Sequence, residues 1–198
     1  MPNKEHDMKQ YAKTIWPGGT QLAPVPAVLV GCGDGENFKY NCLTVAWAGT
    51  LSSNPPMVGI GIRPERYSRG LIESSGVFTV NMPSTAMVKE VDYCGVVSGR
   101  DVDKFAKCGF TAIPGSKVSA PVIAECPISL ECKVRHSLSL GSHILYVGEV
   151  VAVQISSEFI DDKNHFDVTK ADLLAYAHGN YMSLGETLGT FGFSVKKK

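Results

Sequence analysis

Residues 128–156, ISLECKVRHSLSLGSHILYVGEVVAVQIS, decide the fold. Apolar and polar side chains alternate through most of this stretch, a two-residue period that belongs to strands buried on one face. The alternation breaks at residues 139–142, SLGS, so the stretch reads as two long antiparallel strands joined by a hairpin. Strands of that length must bury one face, and here they close a barrel.

Working outward, residues 57–63, MVGIGIR, put Val58, Ile60 and Ile62 on one face and two glycines on the other. This is a strand signature, and glycine leaves room for something lying close to the backbone. Residues 25–31 read as a buried strand, with the turn GCGDGEN closing a hairpin onto residues 39–47. Residues 67–74 read as a short helix with Ser68 near its N-cap, and GVFTVNM at 76–82 as the next strand. A second helix starts at Ser84 or Thr85, carries Met87, Val88 and Val91 inward, and ends at the glycine after Cys94. Residues 95–127 read as glycine- and proline-rich loops. Beyond the long hairpin lie a polar loop at 161–164, a short helical piece at 171–176 and a glycine-rich tail ending in three lysines. Such a tail is by default a solvated terminus. With no internal repeat and no dividing linker, residues 1–198 read as one mainly β domain with a few short helices, its core spanning about 16–181.

Composition narrows the function classes. With 198 residues, 44% hydrophobic, and 19 basic side chains against 19 acidic, the chain has a sizeable core and no bias toward a polyanionic partner. Nucleic acid is therefore not an expected partner. The N-terminus MPNKEHDMKQ is polar, and the apolar runs fall well short of the roughly 20 residues that cross a bilayer. A cytoplasmic protein with no membrane partner is expected. Six cysteines without a C-x-x-C pair read as free, mostly buried thiols, and five histidines without H-x-x-x-H spacing give no metal site.

Chemistry concentrates in three stretches. In NCLTVAWAGTLSSNPP, residues 41–56, a strand leads into a loop of small residues and hydroxyls before a Pro-Pro exit. Small side chains let backbone groups approach a flat polar ligand, and Thr44, Thr50, Ser52 and Ser53 add hydroxyls. An ordinary surface loop has the same composition. In RPERYSRG, residues 63–70, guanidiniums stand beside a helix N-terminus, which makes either a single-phosphate site or a solvated turn. In GSHILYVGEV, His143 opens a strand, where a lone histidine is usually structural.

Taken in order, these stretches resemble the flavin reductase-like FMN-binding split-barrel family. There a loop like residues 41–56 precedes an Arg/Ser phosphate site, an F-x-V-N-x strand and a G-x-H-x₄-G-x-V strand. The resemblance covers about residues 16–181, and FTVNM and SGRDVDKF look closest to the flavoredoxin-like branch. It implies an FMN-binding split β-barrel of Greek-key-like topology, with residues matching Thr44, Val45, Ala46 and Trp47, and Thr50, Leu51 and Ser52, holding the pyrimidine edge and ribityl chain. Arg66 and Ser68 match the phosphate positions, Asn81 the strand beside the flavin, and Lys104 a position near the phosphate. Tyr181 matches a late aromatic that either subunit of a dimer can supply. His143 matches the histidine next to the reactive face, the one catalytic candidate, but Ser142 stands where many flavin:NAD(P)H reductases have Asp.

FMN would carry the hard chemistry, which suits a chain with no Ser/His/Asp set, no paired carboxylates, no nucleophile elbow and no G-x-G-x-x-G. The resemblance also implies a homodimer covering the open side of the barrel. Two functions follow: an electron carrier that passes electrons through bound FMN between redox partner proteins, and an NAD(P)H-dependent flavin reductase serving a small-molecule acceptor. Ser142 tilts toward the carrier. A flavin-binding protein without turnover is the third possibility.

Overall fold

The computed structural model describes residues 13–37 and 39–195; the three terminal lysines and residues 1–12 of the polar N-terminal arm lie outside these. In chain order the strands are β1 (Val25–Pro26), β2 (Val28–Cys32), β3 (Asn41–Val45), β4 (Ala48–Ser53), β5 (Pro56–Ile62) and β6 (Val77–Met82). They continue with β7 (Ala112–Pro114), β8 (Pro121–Ile123), β9 (Ile128–Ser139), β10 (Ile144–Ile155), β11 (Leu174–Ala177) and β12 (Asn180–Ser183). Three α-helices, α1 (Tyr67–Ser75), α2 (Val88–Val96) and α3 (Lys104–Cys108), complete the frame.

The alternating segment forms two strands of 12 residues each, paired antiparallel from Ile128↔Ile155 to Ser139↔Ile144. They sit inside a seven-stranded sheet of order β3-β2-β6-β9-β10-β5-β4. The two edge strands, β3 and β4, are consecutive in sequence and separated only by Ala46 and Trp47. Laid flat, seven strands at about 4.8 Å spacing would hold their edges roughly 29 Å apart. Three Cα steps from Val45 to Ala48 span at most about 11 Å. The sheet therefore has to curl until its edges meet, which makes it a split barrel.

Alternation fills the barrel. Val28, Val30, Val58, Ile60, Phe78, Val80 and Tyr146 are all nearly inaccessible and form one cluster, with Leu71 and Ile72 of α1 packed into it. On the outer face of β2 and β3, Leu29 and Cys42 join Val91 and Cys94 of α2, Phe105 of α3, Ile123 and Leu174 in a second cluster. Both faces of β2 are thus covered, so all five of its residues are buried.

Several segments differ from the sequence expectations. Residues 48–53 extend as β4, paired with β5, so the anticipated loop is largely a hairpin. The helix after Ser84 begins with a 3₁₀ turn at Thr85–Met87, and its α-helical part runs through Gly95 to Val96, with Val97 as C-cap. Inside the region expected to be loops, Asp103 caps α3 by accepting from Ala106 N, and Gly109 ends it in the left-handed conformation. Residues 112–114 and 121–123 pair there as well. The helical piece expected at 171–176 is instead a 3₁₀ turn at Val168–Ala171 followed by β11, which pairs with β1 and β12. The flanking pairing overrides the local helical preference of Ala171, Leu173 and Leu174. No helix among the described residues is long and apolar enough to cross a membrane.

Candidate flavin site

One end of the barrel gathers the last residues of β3 and β5, the start of α1, the start of β10 and Tyr176 of β11. Between them lies an open cleft of about 170 Å³ lined by Thr44, Ala46, Trp47, Arg66, His143 and Tyr176, with Gly61 and Arg63 in its wall. The cleft occupies the seam where the sheet closes.

Trp47 crosses the seam with its carbonyl accepting from Gly61 N at 2.7 Å. A Cβ on Gly61 would lie 3.1 Å from Trp47 Cβ, and one on Gly59 would meet Leu51 Cδ1 at 2.8 Å. The room the two glycines leave is thus taken by side chains of the same chain, Trp47 and Leu51. The indole remains 39% exposed, its centroid 6.5 Å from the His143 ring. An apolar hollow continues behind it, lined by Leu22, Val25, Trp47, Leu51 and Leu145.

Positive charge lies along the opposite wall. Arg63 approaches Glu65 at 3.8 Å, both solvated, whereas Arg66 makes no ion pair among the described residues. Arg66 is also the N-cap of α1 and offers no side-chain cap; Arg69 N donates back to Arg66 O, so the N–H groups of Tyr67 and Ser68 are the ones left to an anion. Beside it Arg100 stacks on Tyr67 at 5.8 Å. Burial, and then the nearby Arg63, hold His143 below its ordinary pKa of 6.5, so the imidazole is neutral at pH 7. Ser142 Oγ lies 2.9 Å from His143 Nδ1.

Of the residues singled out from the sequence, Thr44, Val45, Ala46, Trp47, Arg66 and His143 line the cleft together. Thr44 donates its hydroxyl to Val91 O, tying β3 to α2. Thr50, Leu51 and Ser52 lie further along β4, where Leu51 lines the apolar hollow instead. Ser68 is 2% exposed and accepts from Asn41 Nδ2 at 2.7 Å, with Cys32 beside it, so its side chain faces inward rather than into the cleft. Asn81 is fully buried and fully used: its amide donates to Leu29 O and Thr79 Oγ1, and its carbonyl accepts from Ile123 N and Ser129 Oγ. It is a structural bracket on β6. Lys104 is 4% exposed and spends its ammonium on Cys42 O at 2.9 Å and Cys94 O at 2.8 Å. Tyr181 sits behind the lining residue Tyr176, ring centroids 5.5 Å apart, and donates to Asp92.

Tyr176, Arg63 and Asn41 matter here without having been site candidates. Arg63 was visible in RPERYSRG. Tyr176 could be found only once β11 was known to be a strand, because its register partner is Tyr181.

The family described as "Flavin reductase like domain" matches residues 21–185. Flavoredoxin of Desulfovibrio vulgaris (Miyazaki F) is 33% identical, with a TM-score of 0.86 over 93% of this chain and 100% of its own. Flavoredoxin from Methanosarcina acetivorans is 31% identical, with a TM-score of 0.84 over 92% of this chain and 97% of its own. The FMN-binding protein from Thermus thermophilus, with bound 1-cyclohex-2-enone, is 27% identical, with a TM-score of 0.75 over 90% of this chain and 97% of its own.

Proposed function

Since the chain belongs to the flavin reductase-like domain family, we propose that it binds FMN in the seam cleft and works as a redox flavoprotein of the flavoredoxin kind, passing electrons through the bound ring. One observation carries the reading: an open cleft with an exposed indole and a half-buried imidazole at one wall, and an unpaired guanidinium at the start of a helix with no side-chain cap at another. That donor set fits a planar ring system with a phosphate tail. When bound, FMN would supply hydride or single-electron chemistry. Arg66 and the first turn of α1 would hold the phosphate, and the small-residue backbone from Thr44 to Ala46 would let the ring lie close. Trp47 would cover the ring from the side of the apolar hollow and keep water away.

The carrier role rests on the surroundings of His143. Its neighbour is the Ser142 hydroxyl rather than a carboxylate, and the ring is neutral, so His143 itself forms no charged pair to orient a nicotinamide. The hollow lined by Leu22, Leu51 and Leu145 is apolar and open, and a second copy of the chain would cover it in a homodimer.

The first test is an absorbance spectrum of purified protein, followed by anaerobic addition of NADH and then NADPH. A flavin band that persists until dithionite or reduced ferredoxin is added supports the carrier. Rapid bleaching by either nucleotide selects the NAD(P)H-dependent reductase. Failure of colourless protein to take up added FMN overturns the site.

A further inference from the structure

Behind the cleft, on the far side of β3, three thiols meet. Cys42 projects from β3 into the outer cluster, Cys94 faces it from α2, and Cys108 is the last residue of α3. The Sγ atoms of Cys42 and Cys94 are 3.6 Å apart, and those of Cys94 and Cys108 are 3.8 Å apart. Lys104, one turn before Cys108, clamps the carbonyls of Cys42 and Cys94 with its ammonium. None of the three thiols lines the flavin cleft. Among the described residues no group of His, Cys, Asp and Glu is disposed to hold a metal ion.

We propose that Cys94 and Cys108 form an internal dithiol that a hydroperoxide oxidises to a disulfide, Cys94 being the attacking sulfur and Cys108 the resolving one. Cys94 sits at the centre of the cluster and touches both other thiols. Its surroundings favour the thiolate: a hydrogen bond from Cys42 brings the thiol down against burial, and Lys104 and Cys108 add to the effect against Glu90, leaving it at about 7. Burial and the neighbouring Cys94 push Cys108 up to about 12, so it starts as a thiol and carries the proton that leaves with oxygen.

Cys108 is the better resolving partner because it can move. Closing a 3.8 Å contact to a bond of about 2.05 Å asks one sulfur to shift. Cys42 is fixed in mid-strand opposite Gly31, whereas Cys108 ends a five-residue helix before a left-handed glycine. Cys108 is also partly exposed, which opens the pair to a molecule little larger than water.

The chemistry balances. The Cys94 thiolate attacks the peroxide, an S–O bond forms as the O–O bond breaks, and the departing hydroxide takes up the proton released by Cys94. The Cys108 sulfur then attacks Cys94, the S–S bond forms as the S–O bond breaks, and the Cys108 proton leaves with oxygen as the second water. Two thiols lose two electrons, and hydrogen peroxide becomes two waters.

The test uses the reduced full-length protein and one equivalent of hydrogen peroxide, followed by denaturing alkylation and tryptic mass mapping. The expected result is a fall from six free thiols to four and a linked pair of peptides 90–100 and 108–117. The oxidation rate should rise with pH to a half-point below the ordinary thiol value of 9. Cys42→Ser should keep the link, and Cys108→Ser given two equivalents of peroxide should leave Cys94 gaining about 32 Da as sulfinic acid. A wild-type protein whose Cys94 and Cys108 stay alkylatable while other cysteines oxidise would overturn the proposal. So would a link from Cys94 to the Cys42 peptide. Neither measurement depends on flavin binding.

Discussion

Arg66 brings two attractions for an anion to one wall of the cleft, its own guanidinium and the uncapped start of α1. Replacing it with alanine leaves only the second, so FMN binding should weaken by about 1.5 to 3 kcal/mol. Fluorescence titration of the apoprotein measures this; riboflavin, which lacks the phosphate, should bind more weakly than FMN to the unaltered protein and lose little further affinity in R66A. At His143 the expectation concerns a proton. Burial and Arg63 keep the ring's midpoint below 6.5, and Ser142→Asp, placing a carboxylate beside Nδ1, should raise it, as NMR titration of the imidazole would show. The order of small residues, guanidiniums and a strand-opening histidine points to Thr44, Trp47, Arg66 and His143 only through the family resemblance, since each stretch alone reads as well as an ordinary loop, turn or structural histidine. Residue types do not reveal direction. Asn81, Ser68 and Lys104 carry equally suitable polar groups, yet each is turned into the interior and satisfied there, mostly by partners between 10 and 62 positions away.

Between elements, Glu131 on β9 fastens the 115–118 loop to the barrel. It is fully buried and accepts from Ser116 N and Oγ, Lys117 N, Val118 N and Gln154 Nε2. Burial alone would push the carboxyl up; these donors outweigh it and bring it from 4.5 to about 2. A lowered carboxyl pKa stabilises the fold above pH 4.5, and the contribution drains away as pH falls toward 2. It is on the order of 3 kcal/mol at neutral pH. Glu131→Gln should therefore be less stable at pH 7 and flatter in stability between pH 4.5 and 2, measured by urea unfolding across that range. At β5, Gly61→Ala should push Trp47 by a few tenths of an ångström, since the new Cβ would stand 3.1 Å from the indole's own Cβ; a changed tryptophan emission and weaker FMN uptake are the readouts. The long elements were legible because alternation over 12 residues admits one interpretation. The short ones were not. Helix α3 has five residues and β11 has four, too few for any period to declare itself, and each exists because a neighbour pairs with it or packs on it.

For the whole molecule, the barrel and the apolar hollow beside Trp47 set the remaining expectation. If a second copy covers Leu22, Leu51 and Leu145, then Leu51→Lys should turn a dimer into a monomer in sedimentation velocity and lower FMN affinity at the same time. A monomeric unaltered protein with full FMN affinity would show that one chain suffices. Nothing in the amino-acid pattern marks this face, because exposed leucines are ordinary on any surface. The barrel itself was legible from its strands, but its closure was not, since a two-residue connection reads locally as a loop. Ala46 and Trp47 join strands that are neighbours along the chain and opposite ends of the sheet. The clasp of the barrel and the wall of the proposed cofactor seat are therefore the same two residues. Lengthening that crossing by even a few glycines would slacken the barrel and the cleft together, so on the proposed reading FMN retention would gauge how tightly the barrel is shut.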